Sequence, residues 1–113
     1  MTDAARQRER ERLEYIRECI GLVEEYARQG RVRFFEDPML QDAVLWRLQT
    51  TADAASHLSD ELKARHPQIN WVRVRGFRNV AAHAYEDLML ERVWRVVETG
   101  LRPLKAMVEQ ELA

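Results

Sequence analysis

Apolar positions near the start of the chain recur at helical spacing. Leu13, Ile16, Ile20, Val23 and Ala27 form one stripe, and Tyr15, Cys19, Leu22 and Tyr26 widen it on one side. A stripe this broad suits a bundle helix that packs against two neighbours. Gly30 is a natural stop, because it takes the left-handed cap conformation without a Cβ clash, so the first helix is predicted over about residues 4–29. Asp37-Pro38 reads as an N-cap followed by proline at the first helical position, where the missing N–H costs nothing. Leu40, Val44, Leu48, Thr51, Ala55 and Leu58 then trace a second helical face. Ala52, Ala54, Ala55 and Ser56 are small enough there to let another helix approach closely. Ser59-Asp60-Glu61 restarts a shorter helix that must stop before Pro67.

Asn70 is predicted to cap a third long helix through Trp71, Val74, Phe77 and Ala81, ending near His83–Tyr85. Asp87 caps a last helix carrying Leu90, Val93, Trp94, Val97, Leu101, Leu104 and Val108. Pro103 interrupts that helix and clashes with the carbonyl of Thr99, so a kink is expected. Short connections between long helices predict an all-α, antiparallel, up-and-down bundle of four to five helices. The 113 residues suit a single domain, 1–113, with room for one core. Four glycines and three prolines are too few for the many tight turns of an all-β fold.

The formal net charge is −1, so overall charge does not announce a nucleic-acid partner. Its distribution is more informative. Lys63, Arg65, Arg73, Arg75 and Arg78 follow one another with no Asp or Glu between them. Such a stretch can meet phosphate, and a solvated basic helix face accounts for the charge equally well. Cys19 stands alone, which rules out an intramolecular disulfide and fits a reducing cytoplasm. No apolar run approaches the length of a membrane span, so no membrane association is expected.

No metal and no cofactor are expected. His57, His66 and His83 are scattered, no His-Glu-x-x-His or Cys-x-x-Cys pairing occurs, and the glycines are too isolated for a phosphate loop. What remains is the run Arg78-Asn79-Val80-Ala81-Ala82-His83-Ala84-Tyr85. On a continuous helix Asn79 and His83 share a face, with Arg78 about a quarter turn away and Tyr85 at or just past the helix end. A neutral histidine can take the proton from a ribose 2′-hydroxyl, because its ordinary pKa lies near working pH. A fixed guanidinium can hold the phosphate and stabilise the extra charge of a pentacovalent transition state. Asn79 can orient either group, and Tyr85 can donate a hydrogen bond. Packing and capping at a helix end are the competing explanation for such a set.

The spacing Arg-polar-x-x-x-His-x-Tyr, with Gly76 two positions before the Arg, resembles the motif of the HepT-like (DUF86) proteins of the HEPN superfamily. Phe35-Glu36-Asp37, Gln41 to Gln49, Leu58-Ser59, His66 to Trp71 and Glu91 to Trp94 resemble the same family, so the likeness runs nearly the whole chain. Two positions depart from it: Asn70 stands where members often carry Pro, and Ala52-Asp53-Ala54 where they often carry Gly-Glu-Ala. The resemblance implies a homodimeric toxin of a toxin–antitoxin pair that cleaves RNA without a metal. Arg78 would bind phosphate, His83 act as acid and base, and Asn79 support them in a cleft shared by two protomers. Asp53, Arg73 and Arg75 would be supporting residues. The implied antitoxin is a minimal nucleotidyltransferase that transfers AMP to Tyr85, adding bulk and negative charge beside Arg78. The rival reading is a non-catalytic dimeric module that binds nucleotide or docks a nucleotidyltransferase.

Overall fold

The computed structural model describes residues 1–82 and 87–113, and the side chains of residues 80–88 also lie outside the description. The chain forms α1 (Asp3–Ala27), α2 (Gly30–Glu36), α3 (Pro38–Ser56), α4 (Asp60–Arg65), α5 (Trp71–Ala82) and α6 (Asp87–Arg95). A five-residue π turn, Val96–Gly100, leads into α7 (Arg102–Leu112), and no strand occurs among the described residues. The expected all-α bundle is therefore present. Its long rods are α1, α3, α5 and the run from α6 through α7, with α2 and α4 as short connectors.

The predicted caps at Asp37, Ser59 and Asn70 form, and the one at Asp87 lies outside the described side chains. The Asp37 carboxylate accepts from the N–H groups of Met39 (3.0 Å) and Leu40 (3.3 Å), and Pro38 opens α3. Ser59 Oγ accepts from Leu62 N–H at 3.1 Å, and Asn70 Oδ1 accepts from Arg73 N–H at 3.0 Å. Each satisfies a donor that the first helical turn leaves orphaned. Cross-helix contacts fix the directions of the rods. Cys19 lies 3.5 Å from Thr50, Arg12 donates to the carbonyl of His57, and Glu9 accepts from Ser59, so α1 and α3 run antiparallel. Lys105 meets Glu24, and Glu111 further along α7 lies with Glu9 and Leu13, so α7 runs antiparallel to α1.

The core is built from the stripes read above. Leu13, Ile16, Ile20 and Val23 of α1 meet Val44, Leu48, Thr51 and Ala55 of α3, with Leu104 and Val108 of α7. Thr51 is buried and donates to the Arg47 carbonyl at 2.6 Å, so its hydroxyl enters the core satisfied.

Two features depart from expectation. The first helix stops at Ala27, and Gly30, at φ 90°, starts α2, which periodicity did not reveal. Seven residues are too few to show a repeat, yet Phe34 is fully buried, edge-on to Phe35 and tilted against Trp94, so tertiary packing holds the segment. The expected kink at Pro103 is replaced by the π turn upstream. Leu101 N–H donates to Val96 O rather than to Val97 O, and Pro103 begins a fresh helix where it needs no N–H. Val96 is buried there, and Val97 is partly buried against the core.

A polar cluster ties the α4–α5 corner to the end of α7. His66 is 3% exposed, and its Nε2 lies 2.6 Å from Glu111 Oε2. Arg65 grips the same carboxylate with two nitrogens, at 2.8 and 3.3 Å. The Arg65 hydrogen bond holds Glu111 below the usual carboxylate range, His66 adds to this, and partial burial opposes it. A carboxyl with a lowered native pKa stabilises the fold above its ordinary pKa of about 4.3 and loses that effect as pH falls through the depressed value. Glu111→Gln should therefore cost about 1.5–3 kcal/mol in urea unfolding at pH 7. At pH 3 the difference from the parent chain should shrink clearly.

Candidate active site

The basic stretch of the sequence divides between two sides of α5. Trp71, Arg75, Arg78 and Asn79 sit at i, i+4, i+7 and i+8, which places them on one stripe. This stripe lies along the edge of α3, because Trp71 and Arg75 share a cleft with Ala52, Ala55 and Ser56. Arg73 is on the other side, in a groove of about 300 Å³ with Gly76, Phe77, Arg92, Arg95 and Val96. The sequence had shown one charge run; the helix turns it into two basic surfaces.

Within the stripe, Arg78 Nη1 lies 3.5 Å from Asp53 Oδ1 of α3. Both side chains are more than half exposed, at 54% and 58%. The antiparallel approach of α3 and α5 thus brings together two of the residues singled out from the sequence, across twenty-five positions of chain. Exposed pairs of this kind are worth about 0–1 kcal/mol, so Asp53 orients the guanidinium without committing it. A phosphate, with its greater charge and bidentate geometry, can displace such a carboxylate. Asn79 is exposed on the same stripe.

His83 and Tyr85 lie outside the described residues, so the geometry around them is not part of this description. No group of three or more His, Cys, Asp or Glu gathers into a metal-binding set among the described residues. Nor is any described helix long and apolar enough to cross a membrane.

The sequence placed Lys63 in the basic stretch and Trp71 among the apolar positions of α5, and did not bring the two together. Lys63 Nζ stands 5.9 Å from the centre of the Trp71 ring, across the corner between α4 and α5. The signal was present in the order Lys63, Trp71, Arg75, but their meeting depends on the turn at His66-Pro67.

A small helical bundle that carries an exposed arginine on the seam between two helices is a scaffold able to meet phosphate. Comparison with known proteins makes the class specific. Residues 16–111 match the family described as ribonuclease HepT-like, and the chain belongs to that family. It is 30% identical to "Probable ribonuclease HepT" of Thermococcus cleftensis over 99 residues, 87% of this chain and 90% of that protein. It is 31% identical over 94 residues to "Gamma-glutamylcyclotransferase and putative RNase MJ0434" of Methanocaldococcus jannaschii, covering 82% of this chain and 42% of that longer protein. "Putative RNase TTE0752" of Caldanaerobacter subterraneus is 26% identical over 101 residues, 88% of this chain and 90% of the relative. No solved structure matches the chain.

Because the Asp53–Arg78 pair is exposed, Asp53→Asn should change unfolding free energy by less than about 1 kcal/mol in a urea titration. A loss of several kcal/mol would mean that the pair is a structural brace.

Proposed function

We propose that residues 1–113 act as one domain, a metal-independent endoribonuclease that serves as the toxin of a toxin–antitoxin pair in the cytoplasm. The observation that carries this reading is the Arg78 guanidinium, solvent-facing and tethered among the described residues by one 3.5 Å contact to Asp53. Family membership and the ribonuclease names of the relatives support RNA as the substrate.

In the proposed reaction the ribose 2′-hydroxyl attacks the adjacent phosphorus, and the P–O5′ bond breaks to leave a 2′,3′-cyclic phosphate and a 5′-hydroxyl. His83 accepts the 2′-hydroxyl proton, and His83 of a second copy supplies one to the departing oxygen. Arg78 stabilises the charge that builds on the phosphoryl oxygens, and Asn79 holds the phosphate in line. The nucleophile is a neighbouring hydroxyl, so the chemistry does not call for a metal-activated water. Arg75 and Arg73 steer the strand from the two sides of α5.

The second copy has a surface to occupy. Met39, Trp46 and Asp53 repeat every seven residues on α3, which sets them on one face, and Met39 and Trp46 are 82% and 59% exposed. Large apolar side chains aligned beside a functional pair favour a partner on that face. A homodimer seated there would close a shared cleft around Arg78.

Control by a minimal nucleotidyltransferase completes the reading. The Tyr85 hydroxyl attacks the α-phosphorus of ATP, pyrophosphate leaves, and the attached AMP places a phosphate where it competes for Arg78.

His83→Ala and Arg78→Ala should each abolish cleavage of single-stranded RNA while leaving the helical circular dichroism unchanged, and EDTA should not slow the parent protein. Cleavage retained by both variants would overturn the assignment of these residues, and inhibition by EDTA would overturn the metal-independent mechanism. An intact dimer that binds nucleotide without cutting RNA would favour the non-catalytic rival. Incubation with ATP and the nucleotidyltransferase partner should add AMP mass to Tyr85, read by peptide mass spectrometry. The addition should be absent in Tyr85→Phe.

A further inference from the structure

Apart from Arg75, the residues that line the cleft between α3 and the start of α5 have no part in the reaction just described. It is lined by Trp71, Val72, Ser56, Lys63 and Arg75 over the buried Ala52, Ala55 and Val74, with no carboxylate among the described lining residues. The volume is about 140 Å³. That is close to the ~150 Å³ of an engineered apolar cavity that admits benzene, a six-membered ring. Trp71 is fixed on its edge, because its Nε1–H donates to the His66 carbonyl at 3.3 Å. Arg75 joins the cleft to the reaction site, since it lines the cleft and stands one turn before Arg78 on the same stripe.

We infer that this cleft is a nucleobase subsite, in which Trp71 stacks a single-ring base of the RNA strand next to the scissile phosphate while Lys63 and Arg75 hold that nucleotide's phosphate. The inference rests on the ribonuclease reading for the identity of the strand and deepens it by naming a preference for pyrimidines. Lys63 now stands over the Trp71 ring, supported by a 3.5 Å hydrogen bond from its Nζ to the Ser56 carbonyl. An exposed cation–π contact is worth about two- to fivefold in an equilibrium. Base–aromatic stacking is worth about 5- to 150-fold. A base therefore displaces the ammonium, which is left at the cleft rim beside the incoming phosphate. The small residues matter as much as the aromatic one, since a side chain larger than Ala52 or Ala55 would fill the space the ring needs.

The test uses single-stranded oligonucleotides with 2′-O-methyl sugars, whose blocked hydroxyl prevents the proposed cleavage, and fluorescence anisotropy as the readout. Oligo-U should bind more tightly than oligo-A, and one abasic position moved along oligo-U should weaken binding about 5- to 150-fold at a single register. Trp71→Leu should bind intact oligo-U as weakly as the parent binds the abasic strand and lose the position dependence. Trp71→Phe, which keeps a stacking face, should restore both and separates stacking from misfolding. An abasic penalty that persists in Trp71→Leu, or no oligonucleotide binding by the parent, would overturn the subsite. Cleavage of unmodified RNA is scored separately. A Trp71-dependent penalty without cleavage sustains the subsite and sinks the ribonuclease reading, whereas cleavage without that penalty does the reverse.

Discussion

The close approach of α3 to its neighbours is the constraint on which the rest depends. Thr51, Ala52 and Ala55 are buried where α3 passes between α1 and α5, and none has a side chain long enough to hold the helices apart. The backbones can then meet at the short separation that small residues allow. That separation sets the reach from Asp53 to Arg78 and leaves the shallow space beside Trp71. A larger residue at either alanine would have to be absorbed by shifts in tightly packed neighbours, and overpacking of this kind typically costs about 1–3 kcal/mol. The same dimension of the seam therefore governs stability, the tether on the arginine and the width of the cleft.

Around this seam the polar contacts divide by burial. Arg65, His66 and Glu111 are joined in a partly shielded cluster at the α4–α5 corner, where charge-assisted bonds hold two distant parts of the chain together. Arg78 and Asp53 are in water and hold one another weakly. One cluster fixes the start of α5, and the other leaves a guanidinium further along the same helix available for exchange. A rigid base with a replaceable contact is a suitable arrangement for binding an anionic polymer that must also be released.

Much of the fold could be read from residue order, because its long helices carry their own periodicity and their own caps. Asp37, Ser59 and Asn70 act locally, within three residues of the donors they satisfy, so spacing alone identified them. What escaped was set by distant partners. Helix α2 is held by Phe34 against Trp94, sixty positions away, and a seven-residue segment offers no repeat of its own. A kink was expected at Pro103; a π turn at Val96–Gly100 stands upstream of it instead, and no local spacing marks its place. At the site, Arg78 and Asn79 could be selected by their chemistry, and Asp53 only through family likeness. The stripe that unites Trp71, Arg75 and Arg78 follows from helical phase, whereas Lys63 reaches it through a corner that no local rule specifies.

The π turn has a further consequence for how the C-terminal part of the chain is indexed. A π turn holds one residue more than the α-helical path it replaces, and each residue of an α-helix corresponds to about 100° of rotation. The turn thus acts as a phase shifter between α6, which packs near α5, and α7, which packs on α1. Removing one residue between Val96 and Gly100 would let a plain helix close the gap and would rotate everything after it by that angle. Glu111 would swing away from His66, and Leu104 and Val108 would leave the α1 face together. Length in this short segment consequently matters more to the packing downstream than the chemical identity of its residues.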